Sequence, residues 1–212
     1  VDDSDAEVQR SWSDLRRQWP RAVRRQLHLE VRPDFLAGEQ GTLFRDGRRA
    51  EVCYVLYRAE PRTGLLLHKK AAYPTGCFRL PTGGVTPGEH IVGSMEREVR
   101  EETSLDLRRG GRIQFLGQLD YTFQVSRVAY VLPFTTYVFT VEAPRDFTPV
   151  PLDETEEIEA WRWQPPAALS EITAYLRQFE HEDPSWADWG RFRAPVHEFV
   201  CTHWISRDCP TP

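Results

Sequence analysis

Near the start of the chain, apolar residues recur at spacings of three and four: Trp12, Leu15, Trp19, Val23 and Leu27, with arginines between them. That period predicts helix over about residues 6–31, kinked or divided at Pro20. The arginines Arg16, Arg17, Arg21, Arg24 and Arg25 then read as a solvated helix face. From about Glu51 to Trp163 the texture changes to short β-rich runs broken by Gly and Pro. Residues 51–58, 64–71, 113–124, 129–141 and 157–163 are the candidate strands. One helix is expected among them, at about 90–104, and two more follow Pro165 and Pro166, at 167–180 and 186–205. The expected architecture is a central α/β domain of α+β type over residues 46–165. Helical extensions flank it at 1–45 and 166–212.

Composition narrows the function classes. A chain of 212 residues with 40% hydrophobic and 12% aromatic residues buries a real core. The longest apolar runs fall far short of a membrane span, and no charged segment followed by an apolar core opens the sequence, so a soluble cytoplasmic protein is expected. The formal charge of −5 argues against a nucleic-acid binder working by broad electrostatics. An anionic small substrate would need local cations. Cys53, Cys77, Cys201 and Cys209 form no Cys-x-x-Cys pair and read as reduced thiols. Cys201, His203 and Cys209 are close in sequence but lack the fourth ligand of a tetrahedral zinc site.

The chemistry concentrates between Arg79 and Leu105. On the expected helix, Glu98, Glu101 and Glu102 are related by steps of three and four, so their carboxylates share one stripe. Ile91, Met95 and Val99 form an adjacent apolar stripe that would pack on the sheet. Like charges so placed weaken a helix by about a few tenths of a kcal/mol per pair. A dication would turn that repulsion into coordination. An isolated Glu-rich helix reads as a solvated face, and the preceding segment reverses that reading. Pro81-Thr-Gly-Gly-Val-Thr-Pro-Gly-Glu89 holds three glycines and two prolines. Such a turn lets backbone approach a ligand closely, and the helix start offers free N–H groups to an anion.

This segment resembles the Nudix box: Gly, five residues, Glu, seven residues, then Arg-Glu-apolar-any-Glu-Glu-any-Gly-apolar. Gly83, Glu89, Arg97, Glu98, Val99, Glu101, Glu102 and Leu105 fall in register, and Ser104 stands where the family has Gly. The resemblance implies an α/β/α sandwich with a mixed central sheet. It also implies magnesium or manganese held by Glu98, Glu101 and Glu102, with the Gly83 carbonyl as a further ligand. Arg97 and Glu89 would pair and hold helix to loop. Serine at 104, where the family glycine ends the helix in a left-handed conformation, costs about 1 kcal/mol.

The implied reaction is metal-dependent hydrolysis of a phosphoanhydride in a nucleoside diphosphate linked to another group, with a small-molecule nucleotide as substrate. The metal would activate water, and the general base would be Glu98 or an acid of the Asp153–Glu157 loop. Arg79, Lys69 and Lys70 are candidate phosphate contacts, and alternation along a strand lets only one of the two lysines face inward. Tyr121, sixteen residues past Leu105, matches a tyrosine of Nudix dinucleoside-polyphosphate hydrolases and would stack on a base, or else belongs to the core. Two alternatives stay open. One is an isopentenyl-diphosphate isomerase using Cys77, and the other is a non-catalytic Nudix binding or regulatory module. A homodimer is an assembly open to the chain.

Overall fold

The helical period of the N-terminal segment holds only as far as Pro20. The structure is a computed structural model that describes residues 3–37, 43–44, 47–58, 64–109, 111–126, 130–152, 157–182 and 184–205. In it, helix α1 (Asp3–Gln18) is followed by a strand, β1 (Val23–Val31). The expectation of helix through Val31 is therefore corrected. Trp19, Val23 and Leu27 satisfy a four-residue and a two-residue period equally, but Leu29 and Val31 continue only the second. Their faces settle the matter: Val23, Leu27, Leu29 and Val31 join one core cluster, while Gln26, His28 and Glu30 alternate outward.

After α2 (Pro33–Ala37) come β2 (Ala50–Arg58), β3 (Leu65–Lys70), β4 (Thr82–Gly84), α3 (Ile91–Thr103), β5 (Ile113–Val125), β6 (Val131–Ala143) and β7 (Ile158–Gln164). Helices α4 (Ala168–Glu182) and α5 (Ala187–Val200) follow, with a wider turn at Cys201–Ile205. The strands form one mixed sheet in the order β1-β5-β6-β2-β3-β7, with β4 paired to β2. The β1–β5 and β2–β6 pairs are parallel and the remaining pairs antiparallel. Two apolar cores lie on opposite faces. One packs α1 and α3 on the sheet through Trp12, Leu15, Met95 and Val99, and the other packs α2, α4 and α5 through Phe35, Leu176, Phe192 and Phe199. This is an α/β/α sandwich. β2 is buried on both faces, which is why it reads as a nearly continuous apolar run.

The outer edge of β2 is shared. Residues 51–53 pair with β4, whereas Tyr57 pairs with Leu65 at the far end of β3. The two neighbours are therefore separate between these points, and the chain that joins them is bridged back to β3 through Arg79 and His68. A sheet that forks presents backbone and side chains from three strands to one space, and several of the candidate residues, Gly83, Arg79 and Lys70 among them, line it.

At the other edge, Gly117 has φ 146° beside a register irregularity in β5, and a Cβ there would lie 1.8 Å from the Val23 carbonyl oxygen. Gly117→Ala should therefore push β1 off β5 and cost at least about 2 kcal/mol in urea unfolding. An unchanged midpoint would show that β1 does not approach β5 this closely.

Candidate functional site

Helix α3 is docked by its apolar stripe: Met95 and Val99 are fully buried and Ile91 nearly so, all in the core shared with β2. That fixes the rotation of the glutamate stripe and brings Glu98 and Glu102 to the fork in the sheet. Arg97 ties the same helix to the Gly-rich segment, and all five of its N–H donors are used. Nε and Nη2 grip the two oxygens of Glu89 at 2.9 Å each, Nη2 also reaches the Gly84 carbonyl at 2.9 Å, and Nη1 donates to Glu98 at 2.8 Å and Glu101 at 3.0 Å. Glu89 in turn accepts from the Thr86 N–H at 3.2 Å. The Arg97 guanidinium holds the Glu89 carboxyl well below its usual range, from 4.5 to about 2.

The two glycines of β4 face opposite sides of the sheet, and each is required by what covers it. A Cβ on Gly83 would fall 2.0 Å from Cδ of Glu98, and one on Gly84 would fall 1.9 Å from Cζ of Arg48. Glu98 thus lies directly on the Gly83 backbone. Glu102 is fully buried; it accepts from the Tyr54 hydroxyl and pairs with Lys70 Nζ at 2.9 Å. Glu101 stands apart, with a side chain 42% exposed and bound to Arg97. Among the described residues no three His, Cys, Asp or Glu side chains converge as a metal cluster. The expected ligand set is thus divided, with Glu98, Glu102 and Gly83 on the cavity wall and Glu101 outside it. The donors on the wall are hard oxygens, which suits magnesium or manganese. Arg97 and Lys70 occupy the positive positions beside them.

The fork opens into a cavity of about 620 Å³. Its floor is Gly83, Gly84, Glu98 and Glu102, its cationic flank is Arg48, Lys70 and Arg79, and its far wall is aromatic: Phe35, Tyr73, Trp186, Trp189 and Phe192. Arg79 is only 4% exposed yet meets no carboxylate among the described residues; it donates to the Leu80 carbonyl at 2.7 Å, to Thr82 Oγ1 at 3.1 Å and to the Tyr73 hydroxyl. Helix α5 fixes this flank. The Leu80 N–H donates to Nε2 of His197 at 3.0 Å, while Nδ1 lies 3.0 Å from the Arg193 carbonyl, so the neutral ring carries its proton on Nδ1. Burial holds His197 down to about 3.

Three candidate residues are placed away from the cavity. Lys69 turns outward and gives Nζ to both oxygens of Glu159 at 2.7 Å, so the inward lysine is Lys70, which shares the face of β3 that Leu66 buries in the core with α3. Tyr121 is enclosed in the core, its ring stacked on Phe123 and its hydroxyl donating to the Phe192 carbonyl at 3.3 Å, and it cannot receive a base. Cys77 is fully buried off the cavity, and burial pushes its thiol up to about 11, so the isomerase alternative lacks a reachable nucleophile. Of the acidic loop, Glu157 lines the cavity, while residues 153–156 lie outside the described residues, as does Cys209 of the zinc trio.

The contributions of α5 and of Arg48 and Glu51 went unread in the sequence. The signal for α5 was charge within an apolar helix: Asp188, Arg193 and His197 are buried among Trp189, Phe192, Val196 and Phe199. Ser104 caps α3 at φ 65°, as the pattern implied, and its hydroxyl also donates to the Val150 carbonyl. Together with Val150 N–H to Thr103 and Leu152 N–H to Glu101, that bond docks the segment after β6 on the end of α3.

The family model described as "NUDIX domain" matches residues 47–189, more than half of the chain. No curated protein matches the chain significantly. Among solved structures, the dihydroneopterin triphosphate pyrophosphohydrolase of E. coli is similar at 17% identity and TM-score 0.50, covering 71% of this chain and 93% of that one. The NUDIX domain of Shewanella oneidensis NrtR, solved with ADP ribose, is 19% identical over 65% of this chain and 85% of its own, with TM-score 0.41. A MutT NUDIX hydrolase from Burkholderia pseudomallei is 23% identical over 56% and 84%, with TM-score 0.42.

Two measurements check this geometry. The Glu89 pKa is depressed in the folded state, so its pair with Arg97 contributes fully above about pH 4.5 and is lost as pH falls toward 2. Between those values Tm should fall more steeply for the wild type than for Glu89→Gln; parallel curves would contradict the pair. At position 104, Ser104→Ala keeps the left-handed strain and loses the bond to Val150, costing about 1 kcal/mol. Ser104→Gly relieves the strain as it loses the bond and should stay within about 0.5 kcal/mol of wild type. If alanine and glycine behave alike in chemical denaturation, the backbone at 104 is not left-handed.

Proposed function

The chain belongs to the Nudix family of pyrophosphohydrolases, and from that premise we propose that it hydrolyses the phosphoanhydride of a nucleoside diphosphate linked to another group, with magnesium or manganese. The observation that carries this reading is the composition of one cavity. Two box glutamates lie on its floor, and among the described residues the cation of Arg79 on the same cavity meets only neutral partners. A buried guanidinium without a carboxylate partner is stabilised by an anion, and a phosphate supplies one.

A dication held by Glu98 and Glu102, with the Gly83 carbonyl and a reoriented Glu101 completing an oxygen set, would neutralise phosphate charge and supply a water nucleophile at neutral pH. The protein's own groups do the rest. Arg79 and Arg48, on the same cavity as the carboxylates, bind and orient the phosphates. Lys70, held by Glu102, adds positive charge where the chain's net −5 would otherwise repel an anion. Arg97 takes no part in the chemistry; its donors are already committed, and it holds Glu98 on the Gly83 backbone. Two acids on the cavity can take the proton of the attacking water, Glu98 and Glu157. Water adds to phosphorus as the bridging oxygen leaves, giving a nucleoside monophosphate and the phosphorylated second group.

Turnover of a nucleoside diphosphate derivative should stop in excess chelator and return with magnesium or manganese. In oxygen-18 water the label should appear on phosphorus. Glu102→Gln should lower kcat at least about a hundredfold with an unchanged near-UV circular dichroism spectrum. Undiminished turnover in that variant, or in chelator, refutes the reading. Metal-independent binding of nucleotides without turnover would favour the non-catalytic module.

A further inference from the structure

The cavity wall remote from α3 contains a buried ion pair that hydrolysis itself does not need. Glu51 is 3% exposed, and its Oε1 accepts twice, from Arg193 Nη1 at 2.6 Å and from Thr136 Oγ1 at 2.9 Å. Its Oε2 accepts from no described residue. Arg193, 8% exposed, gives only Nη1 to Glu51; among the described residues Nε is enclosed without an acceptor and Nη2 donates to none. Both residues line the cavity. Taking two charges out of water is costly, and an apolar pair would pack as well or better. What the pair adds is one acceptor and one donor on a wall that is otherwise aromatic.

The surroundings define what those two groups can meet. Trp189 stands between Tyr73 and Trp186, with ring centroids 5.3 and 5.2 Å away, and Phe192 continues the wall. Flat aromatic faces take a planar ring. Arg79, which meets no carboxylate among the described residues, reaches from Thr82 of β4 to the Tyr73 hydroxyl, so the anionic part of a ligand is drawn to the β4 side of the cavity. The Glu51–Arg193 pair has no net charge and suits a neutral group. A carboxylate oxygen accepts best from an acidic ring N–H, and a guanidinium donates best to an exocyclic carbonyl.

We propose that Glu51 and Arg193 select the base of the substrate, and that the base is a keto heterocycle presenting a ring N–H beside a carbonyl, as hypoxanthine and guanine do. This rests on the hydrolysis reading for the orientation of the ligand, with phosphates toward α3 and base toward α5. Arg193 and Phe192 lie beyond residues 47–189, so this part of the wall is outside the matched Nudix domain. The base is bound against the half-buried rings of Tyr73 and Trp186 on the aromatic wall and is read at its edge by the ion pair.

The test is calorimetry in chelator on the full chain, with inosine 5′-monophosphate, 1-methylinosine 5′-monophosphate and adenosine 5′-monophosphate. The three share the same phosphate and ribose. Inosine monophosphate should bind at least about tenfold tighter than either of the others, because the methyl group removes the N–H and adenine removes the carbonyl. Arg193→Met should abolish the preference. Glu51→Gln should do so too if it folds, and the ligand series on the wild type decides the matter whether or not that variant folds. Equal affinity for the three, or no binding of any, overturns the proposal. Because the assay contains no metal and reads no turnover, it separates from the hydrolysis reading: loss of selectivity alongside continued hydrolysis removes only the base-reading role.

Discussion

Arg97 is the contact on which the site depends. Its guanidinium joins α3 to the segment before it at three points, through both oxygens of Glu89 and the Gly84 carbonyl. The same group holds Glu98 and Glu101. A planar five-donor fork can satisfy so many acceptors at once, and an ammonium cannot. Without it, a loop of glycines and prolines would be joined to a helix bearing clustered negative charge, and neither would hold the other in register. The bond also explains why Glu98 can sit on the Gly83 backbone: its charge is met on one side, and the missing Cβ makes room on the other.

Helix α5 performs the corresponding task for the opposite wall. His197 accepts from the Leu80 N–H, Arg193 reaches Glu51, and Asp188 accepts from the Arg32 backbone N–H and side chain at 2.9 Å each. One helix is thus bonded to the strand before the glycines, to the first residues of β2 and to the end of β1. Its polar groups are buried and mostly satisfied, so they specify one docking geometry in a way that apolar contacts alone do not. The cavity's two sides are therefore set by separate elements, α3 for the carboxylates and α5 for the aromatic wall.

The charge layout follows from this division. The protein is acidic overall, yet Arg48, Lys70, Arg79 and Arg193 all reach one cavity. Lys70 and Arg193 are matched by Glu102 and Glu51, whereas Arg79 is held by neutral oxygens. The cation that meets no carboxylate among the described residues thus lies on the same cavity as the glutamate floor and the aromatic wall.

The sequence by itself determined the parts whose chemistry is local. The run of Gly83, Glu89, Arg97, Glu98 and Glu102 resembles the Nudix box, and that resemblance implied the family and the Glu89–Arg97 pair, while the apolar period gave a helix from about 90 to 104, because such a motif is local in the chain. The left-handed residue at 104 was legible for the same reason. Tertiary structure alone decided the rest. Val23 to Val31 fits two periods, and only pairing with β5 makes it a strand. Lys69 and Lys70 are neighbours, and only the side of the sheet on which α3 packs decides which one meets Glu102. Tyr121 could stack on a base or on Phe123, and the arrival of Phe192 from seventy-one residues further along closes that space. The role of α5 was hidden because its partners, Glu51 and Leu80, lie more than a hundred residues away in the chain, and no local pattern of residues encodes a contact at that range.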